Sequence, residues 1–220
     1  MAFKEDSYEV VRNAIPEELV IFINSEFELL RKLTYMTRGL HPDDEENRYT
    51  FNDTTSEKCF GQYSPFCTET LMLFLHKKAE EVTGKNLLPA YSYARQYYKG
   101  ATMGWHTDRY SCEYSITICL SRPEDLPYPI WFETKTLPKK DVEIILNPGD
   151  MIVYKGAELP HWRLEYQGER MTQAFLHYVD ADGPHSNRLF DTRPYLGYPS
   201  SMQKEPVSDI QQPKWKTVRP

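Results

Sequence analysis

At 220 residues, with 40% hydrophobic and 14% aromatic side chains, the chain is long enough for one domain with a sizeable core. Its net charge of −6 leaves no basic footprint for nucleic acid. No apolar run approaches a membrane span, and the N-terminus "MAFKEDSYEV" lacks the apolar core of a secretory signal. The four cysteines (Cys59, Cys67, Cys112, Cys119) show no CxxC spacing, which argues against a zinc ribbon or disulfide scaffold and for buried free thiols in a reducing cytoplasm.

The opening "YEVVRNAI" alternates like a strand and stops at Pro16. Pro16 is suited to the first position of a helix through "PEELVIFINSEFELLRKLTYM", whose Leu19, Ile23, Phe27, Leu30 and Leu33 recur every three or four residues as a packing face. From Arg38 to Gln62 the chain is polar and aperiodic, long for a plain connection. It reads equally as a lid or binding segment (residues 39–63) and as a disordered excursion. Ser64-Pro65 then opens a second helix, "PFCTETLMLFLHKKAEEVTG", ended by Gly84, with His76 as a surface or half-buried histidine.

After Gly84 the texture changes. "AYSYARQYY", "EYSITICL", "YPIWFE", "VEIILN", "DMIVYKG" and "MTQAFLHYV" are short β-branched or aromatic runs separated by turn formers, and the sixteen tyrosines and sixteen prolines lean the same way. Two helices followed by six or more strands predict an α+β, mainly β chain with helices against an antiparallel sandwich or barrel. Residues from Asp180 on, rich in proline and polar side chains, read as a tail draped over the domain or partly disordered.

Within this frame, "GWHTDRY" draws attention. Side chains at i and i+2 of an extended chain share a face, so His106 and Asp108 could converge on one ion. Two histidines and one carboxylate on one face of an octahedron leave three positions open, the arrangement of non-haem Fe(II) oxygenases. Of the other histidines (His41, His76, His161, His177, His185), His161 is the outstanding third ligand. It follows "NPGDMIVYKGAELP", a turn, a strand and a polar turn; taken by itself a solvated loop histidine beside Pro160 is the favoured reading, and its surroundings shift it. Nine residues on, Arg170 shares a strand face with Thr172, and a guanidinium beside a hydroxyl can hold a carboxylate. If His161 ends one strand and Arg170 starts its neighbour, the cation lies within reach of a five-carbon dicarboxylate chelating the metal. An ordinary surface charge in "QGERMT" is the alternative.

These residues in this order resemble the Fe(II)/2-oxoglutarate-dependent dioxygenases, and within them the prolyl 4-hydroxylase-like branch. The matching parts are His106-Thr107-Asp108, His161, Arg170, and the upstream run "YYKGATMGWHTD", where Tyr97 matches a tyrosine that contacts 2-oxoglutarate, with Tyr98 as second choice. The similarity covers residues 88–183. It implies a double-stranded β-helix (jelly-roll, cupin-like) core, with residues 1–87 as helical support and variable loop and 184–220 as a C-terminal tail. It implies His106, Asp108 and His161 as catalytic iron ligands, Arg170, Thr172 and Tyr97 as 2-oxoglutarate contacts, O2 as co-substrate and ascorbate as a reductant. Gln167 departs from the DNA-repair demethylase branch, and the last strand is shifted by one residue before "DAD" relative to the oxygen sensors.

Three functions are expected in descending order. The first is hydroxylation of a peptidyl residue, proline foremost; the second is the same chemistry on a free amino acid or metabolite. The third is a β-sandwich binding module whose metal is structural or absent. No nucleic-acid or membrane partner is expected, and the expected location is cytoplasmic. Trp105, Tyr110, Tyr128 and Trp131 could wall a pocket, but burial habits favour the β-core for most of them.

Overall fold

The computed structural model describes residues 2–135 and 138–198. Helices are α1 (Ala2–Asp6), α2 (Glu17–Met36) and α3 (Phe66–Thr83). Strands are β1 (Tyr8–Val11), β2 (Cys59–Tyr63), β3 (Leu87–Tyr98), β4 (Met103–His106), β5 (Tyr114–Ser121), β6 (Ile130–Glu133), β7 (Asp141–Ile144), β8 (Met151–Tyr154), β9 (His161–Arg163) and β10 (Arg170–Asp180). They form two antiparallel sheets, a major one in the order β1-β8-β5-β10-β3-β2 and a minor one in the order β4-β9-β6-β7. This pair of facing sheets is the double-stranded β-helix anticipated from the sequence. No helix among the described residues is long and apolar enough to cross a membrane.

The alternation of each major strand sorts its side chains between two cores. One core lies between helices and sheet, where Ile23, Met72 and Leu75 meet Ile116, Ile118, Ala174 and Leu176. The other lies between the sheets, where Tyr97, Phe132, Ile152, Tyr154 and Met171 pack together. Each fully buried aliphatic side chain in these layers contributes roughly 1.5–3 kcal/mol. The three described cysteines at the core, Cys59, Cys112 and Cys119, are buried free thiols, and Cys67 is half-buried and also free.

Local signals set the helix ends. Pro16 stands just before α2, with Glu17 and Glu18 in the first turn, where acidic side chains suit the helix dipole. Gly84 takes φ +67° after α3, a left-handed closure that a residue with a Cβ adopts only under strain. The buried face of α2 keeps most of the periodic reading: Ile23 and Phe27 are buried and Leu19 and Leu30 pack against the core, but Val20, Arg31 and Tyr35 join the inward face and Leu33 is 60% exposed. Arg31 wins its buried place by bonding Glu28, the Pro42 carbonyl and Asp43. Two features of the polar stretch were not anticipated: β2, which pairs with β3, and a run of turns that returns Asp53 to the sheet. Beyond β10, the turn-rich segment to residue 198 is tied down by Arg193, which bonds the buried Glu69 carboxylate and the Ala90 carbonyl. The rest of the expected tail lies outside the described residues.

Candidate metal centre

β4 and β9 lie side by side, with His106 paired directly to His161. Their imidazole centroids are 4.4 Å apart. Asp108, two residues past the end of β4, is fixed there by its own N–H, which donates to the Gly156 carbonyl at 2.9 Å. Its Oδ1 lies 3.6 Å from Nε2 of His106 and 3.6 Å from Nε2 of His161. The other ring nitrogen of each histidine faces a backbone carbonyl: His106 Nδ1 is 2.7 Å from Gly104 O and His161 Nδ1 is 3.0 Å from Leu159 O. A proton on each Nδ1 satisfies those carbonyls and leaves both Nε2 lone pairs aimed at one point beside the carboxylate. That is the tautomer a metal ligand needs, set by the hydrogen bond on the far nitrogen.

Electrostatics follow from this geometry. Burial acts to raise the Asp108 carboxyl, but His106, which donates to it when its ring is protonated, and the fields of His161 and His177 overcome that and bring it down to about 2. Burial pulls the His161 imidazole below its ordinary value, whereas the Asp108 carboxylate raises that of His106. The second Asp108 oxygen is engaged from behind. Ser115 on β5 donates to Oδ2 at 3.2 Å, and its hydroxyl lies 2.9 Å from Nδ1 of the buried His177 on β10. Gly156 leaves room for this contact. A Cβ there would stand 2.5 Å from Asp108 Oδ2 and 2.5 Å from the Cys112 carbonyl.

The three ligating atoms open onto a cavity of about 390 Å³ between the sheets. Tyr91, Tyr93, Arg95 and Phe175 form its inner wall, and Asp53, Thr54 and Thr55 of the polar stretch reach it from outside. Asp53 is held there firmly. Its Oδ2 accepts from Arg95 Nε at 2.7 Å and from the Tyr93 hydroxyl at 2.9 Å, and its Oδ1 caps the Thr55 and Ser56 N–H groups. Opposite, Arg109 makes a two-pronged pair with Asp191, which also takes bonds from Ser111 and Tyr63. Phe190, Asp191 and Thr192 all have φ between +53° and +66°, a strained run that aims this carboxylate at the residue following Asp108.

No family model matches the chain, and no curated protein matches it. Solved structures do. A Pseudomonas putida prolyl-4-hydroxylase superposes with TM-score 0.57 at 12% identity, over 80% of this chain and 95% of its own. HygX from Streptomyces hygroscopicus, with nickel and 2-oxoglutarate bound, gives 0.59 at 13% identity over 82% and 85%. The non-heme alpha-ketoglutarate-dependent carbocyclase SnoK from nogalamycin biosynthesis gives 0.61 at 12% identity over 82% and 82%. The chain has the fold of the Fe(II)/2-oxoglutarate-dependent oxygenases.

On that oxygenase fold, His106, Asp108 and His161 come together, and of the three other expected contacts Tyr97 faces the space between the sheets while Arg170 and Thr172 do not. Tyr97 is fully buried between the sheets, where its hydroxyl accepts from Arg95 Nη1 at 3.0 Å; Tyr98 faces the helices instead. Arg170 and Thr172 are not brought to the triad. They occupy the alternate positions of β10 that face the helices along with Ala174 and Leu176, and Arg170, 52% exposed, sits 3.8 Å from Glu28 of α2. The residues of β10 that turn inward are Met171, Gln173, Phe175 and His177. Of the four aromatics considered for the pocket, Tyr128 is core and Trp131 stacks on Trp162, while Trp105 (62% exposed) and Tyr110 (61%) face solvent; none lines the cavity.

Sequence reasoning missed the cation that is available. Arg163 follows His161 by two on β9 and is 2% exposed. Its Nη1 and Nη2 donate to neutral oxygens only, the Tyr128 carbonyl and Gln173 Oε1, and it has no ion-pair partner among the described residues. Its Nε and the Gln173 Nε2 are buried donors with nothing to donate to. The rings of Tyr97 and Tyr128 flank the guanidinium at 5.7 and 4.9 Å. A buried cation with unspent donors is costly unless an anion completes it. The period-two rule that links His106 to Asp108 would equally have linked His161 to Arg163.

Proposed function

We propose that the protein is an Fe(II)- and 2-oxoglutarate-dependent oxygenase that hydroxylates a C–H bond. The observation that carries this reading is the convergence of two imidazole Nε2 atoms and one carboxylate oxygen, each imidazole oriented by a backbone carbonyl, at the mouth of a cavity. The donor set is the two-histidine, one-carboxylate face preferred by Fe(II) in oxygenases. The unneutralised Arg163 and the free Gln173 donor lie beyond the cavity's lining, between the sheets, and they fit the far carboxylate of a dicarboxylic cosubstrate that reaches past it.

When bound, the iron supplies oxidative decarboxylation of 2-oxoglutarate with O2 and the oxidising power for the C–H bond. This chain's residues do the rest. His106, Asp108 and His161 hold the metal, and Ser115 with His177 fixes the rotation of the Asp108 carboxylate. Arg163 and Gln173 orient the cosubstrate with Tyr97 packed against it. Asp53 ties residues 53–55 across the cavity through Arg95 and Tyr93, narrowing the path of water to the reacting atoms.

A prolyl residue in a peptide is the leading substrate, supported by the sequence resemblance and by a prolyl-4-hydroxylase among the similar structures. A free small molecule is the second reading. It is favoured by the limited volume of a cavity crossed by Asp53, Thr54 and Thr55. Incubation with Fe(II), 2-oxoglutarate and O2, followed by mass spectrometry of proline-containing peptides and of free amino acids, separates the two. A mass gain of one oxygen on a peptide prolyl residue supports the first reading, and the same gain on free amino acids alone supports the second.

A further inference from the structure

Arg170 and Thr172 are left without a role at the iron centre, yet the face of β10 they occupy borders another cavity. It measures about 580 Å³ and lies on the helix side of the major sheet, walled by α2, β3 and the loop after β5. The volume is within the usual range for small-molecule sites. Its lining combines two kinds of unfinished chemistry.

The first is a set of acceptors without donors. Gln96, 1% exposed, spends its Nε2 on Glu28 and on the Thr172 hydroxyl, and its Oε1 has no partner among the described residues. The Glu28 bond fixes which end of the amide is oxygen, because a carboxylate must receive an N–H. Asn24 Oδ1 on the same wall is also buried and unpartnered. The second is positive charge that carboxylates meet only loosely, in Arg170, or not at all among the described residues, in Arg122. Arg122 donates only to the carbonyls of Leu146, Pro123 and Glu124 and to Asn147 Oδ1. Arg170 has Glu28 at 3.8 Å, which Arg31 approaches more closely at 3.2 Å.

Acceptors beside a carboxylate call for an ammonium group, and guanidinium groups short of an anion call for a carboxylate. We propose that this cavity is a second ligand site, separate from the iron centre, that binds a free α-amino acid. The ammonium group is taken by Gln96 Oε1, Asn24 Oδ1 and Glu28, and the carboxylate by Arg170 and Arg122. The site lies on the far face of β3 and β10 from the triad, since Gln96 and Thr172 alternate with the inward Arg95 and Gln173.

Isothermal titration of the metal-free protein tests this, with L-glutamine as the probe. N-acetyl-L-glutamine removes the ammonium, and L-glutaminamide removes the carboxylate. The expected result is binding of L-glutamine, with each blocked analogue weaker by about tenfold or more. The half-exposed Arg170→Gln variant and, separately, Gln96→Leu are expected to lose about tenfold or more, while Arg163→Gln binds as wild type. No heat up to about 10 mM L-glutamine, equal binding of the blocked analogues, or undiminished binding by Arg170→Gln would overturn the proposal. Because metal-free protein is used and Arg163 is the control, the outcome does not depend on the iron centre.

Discussion

His161 and Arg163 stand two residues apart on β9 and share its inner face, one imidazole at the metal centre and one guanidinium without an anion deeper between the sheets. Under the proposed function this spacing puts a metal ligand and the cosubstrate cation on a single short strand. Arg163→Gln is therefore expected to raise the 2-oxoglutarate requirement about tenfold or more, with metal affinity within about twofold of wild type. Arg170→Ala should leave that requirement unchanged. Titrations of succinate release against 2-oxoglutarate for both variants check the assignment, and the reverse ranking would return the role to Arg170.

Gly156 is where a methyl group has no room. Alanine there would press on Asp108 Oδ2, the Ser115 hydroxyl and the Cys112 carbonyl, each 2.5 Å from the added Cβ. Backbone at that distance cannot yield cheaply, so the carboxylate must shift. Metal affinity of Gly156→Ala is expected to fall about 10- to 100-fold, with a stability cost of about 1–3 kcal/mol. Metal titration monitored by calorimetry reads the first, and urea unfolding the second.

Asp53 and Arg95 form a buried ion pair between the polar stretch and β3. Asp53→Ala leaves the Arg95 guanidinium buried without its carboxylate, a loss of about 3 kcal/mol. Asp53→Asn retains an acceptor and should cost less. Limited proteolysis is expected to cut within residues 39–58 of the alanine variant sooner than in wild type. Equal cutting would show that the pair does not anchor this stretch.

Acid should loosen the metal-free protein through His177. Burial lowers its imidazole to about 4 from 6.5. Between those values the unfolded chain binds the proton and the folded chain does not, so stability rises with pH across the window and falls as pH drops. The full effect is about 3 kcal/mol. Burial of His161 adds in the same direction, while the raised His106 opposes both. Urea unfolding from pH 7 to 4 should show a flatter profile for His177→Gln than for wild type, and parallel profiles would contradict this.

Much of the architecture was legible from local pattern: the two long helices, Gly84 as a helix stop, and most strands follow from periodicity and turn formers. The convergence of His106, Asp108 and His161 was legible because His106 and His161 sit at strand ends, Asp108 follows two residues on, and period two is a strict rule. Arg170 falls on the helix side of β10 for a reason of phase. A strand's faces are opposite by one residue, and β10, buried on both faces over most of its length, gives no sign in the sequence of which set turns inward. Asp53 was out of reach because its partner Arg95 is 42 residues away and β2 between them has no alternating pattern. The last turns of α2 were misjudged, with Leu33 outward, because the inward face there includes Arg31, a charge that hydrophobic periodicity would never select and that its three oxygen partners hold in place.

The most direct test is anaerobic Fe(II) reconstitution followed by admission of O2 with 2-oxoglutarate, reading bound iron and released succinate together. One iron per chain and succinate formation are predicted for the wild type, with both lost in His106→Ala. Succinate release undiminished in His106→Ala, or a wild-type protein that binds no iron, would contradict the assignment of His106, Asp108 and His161 as the metal centre.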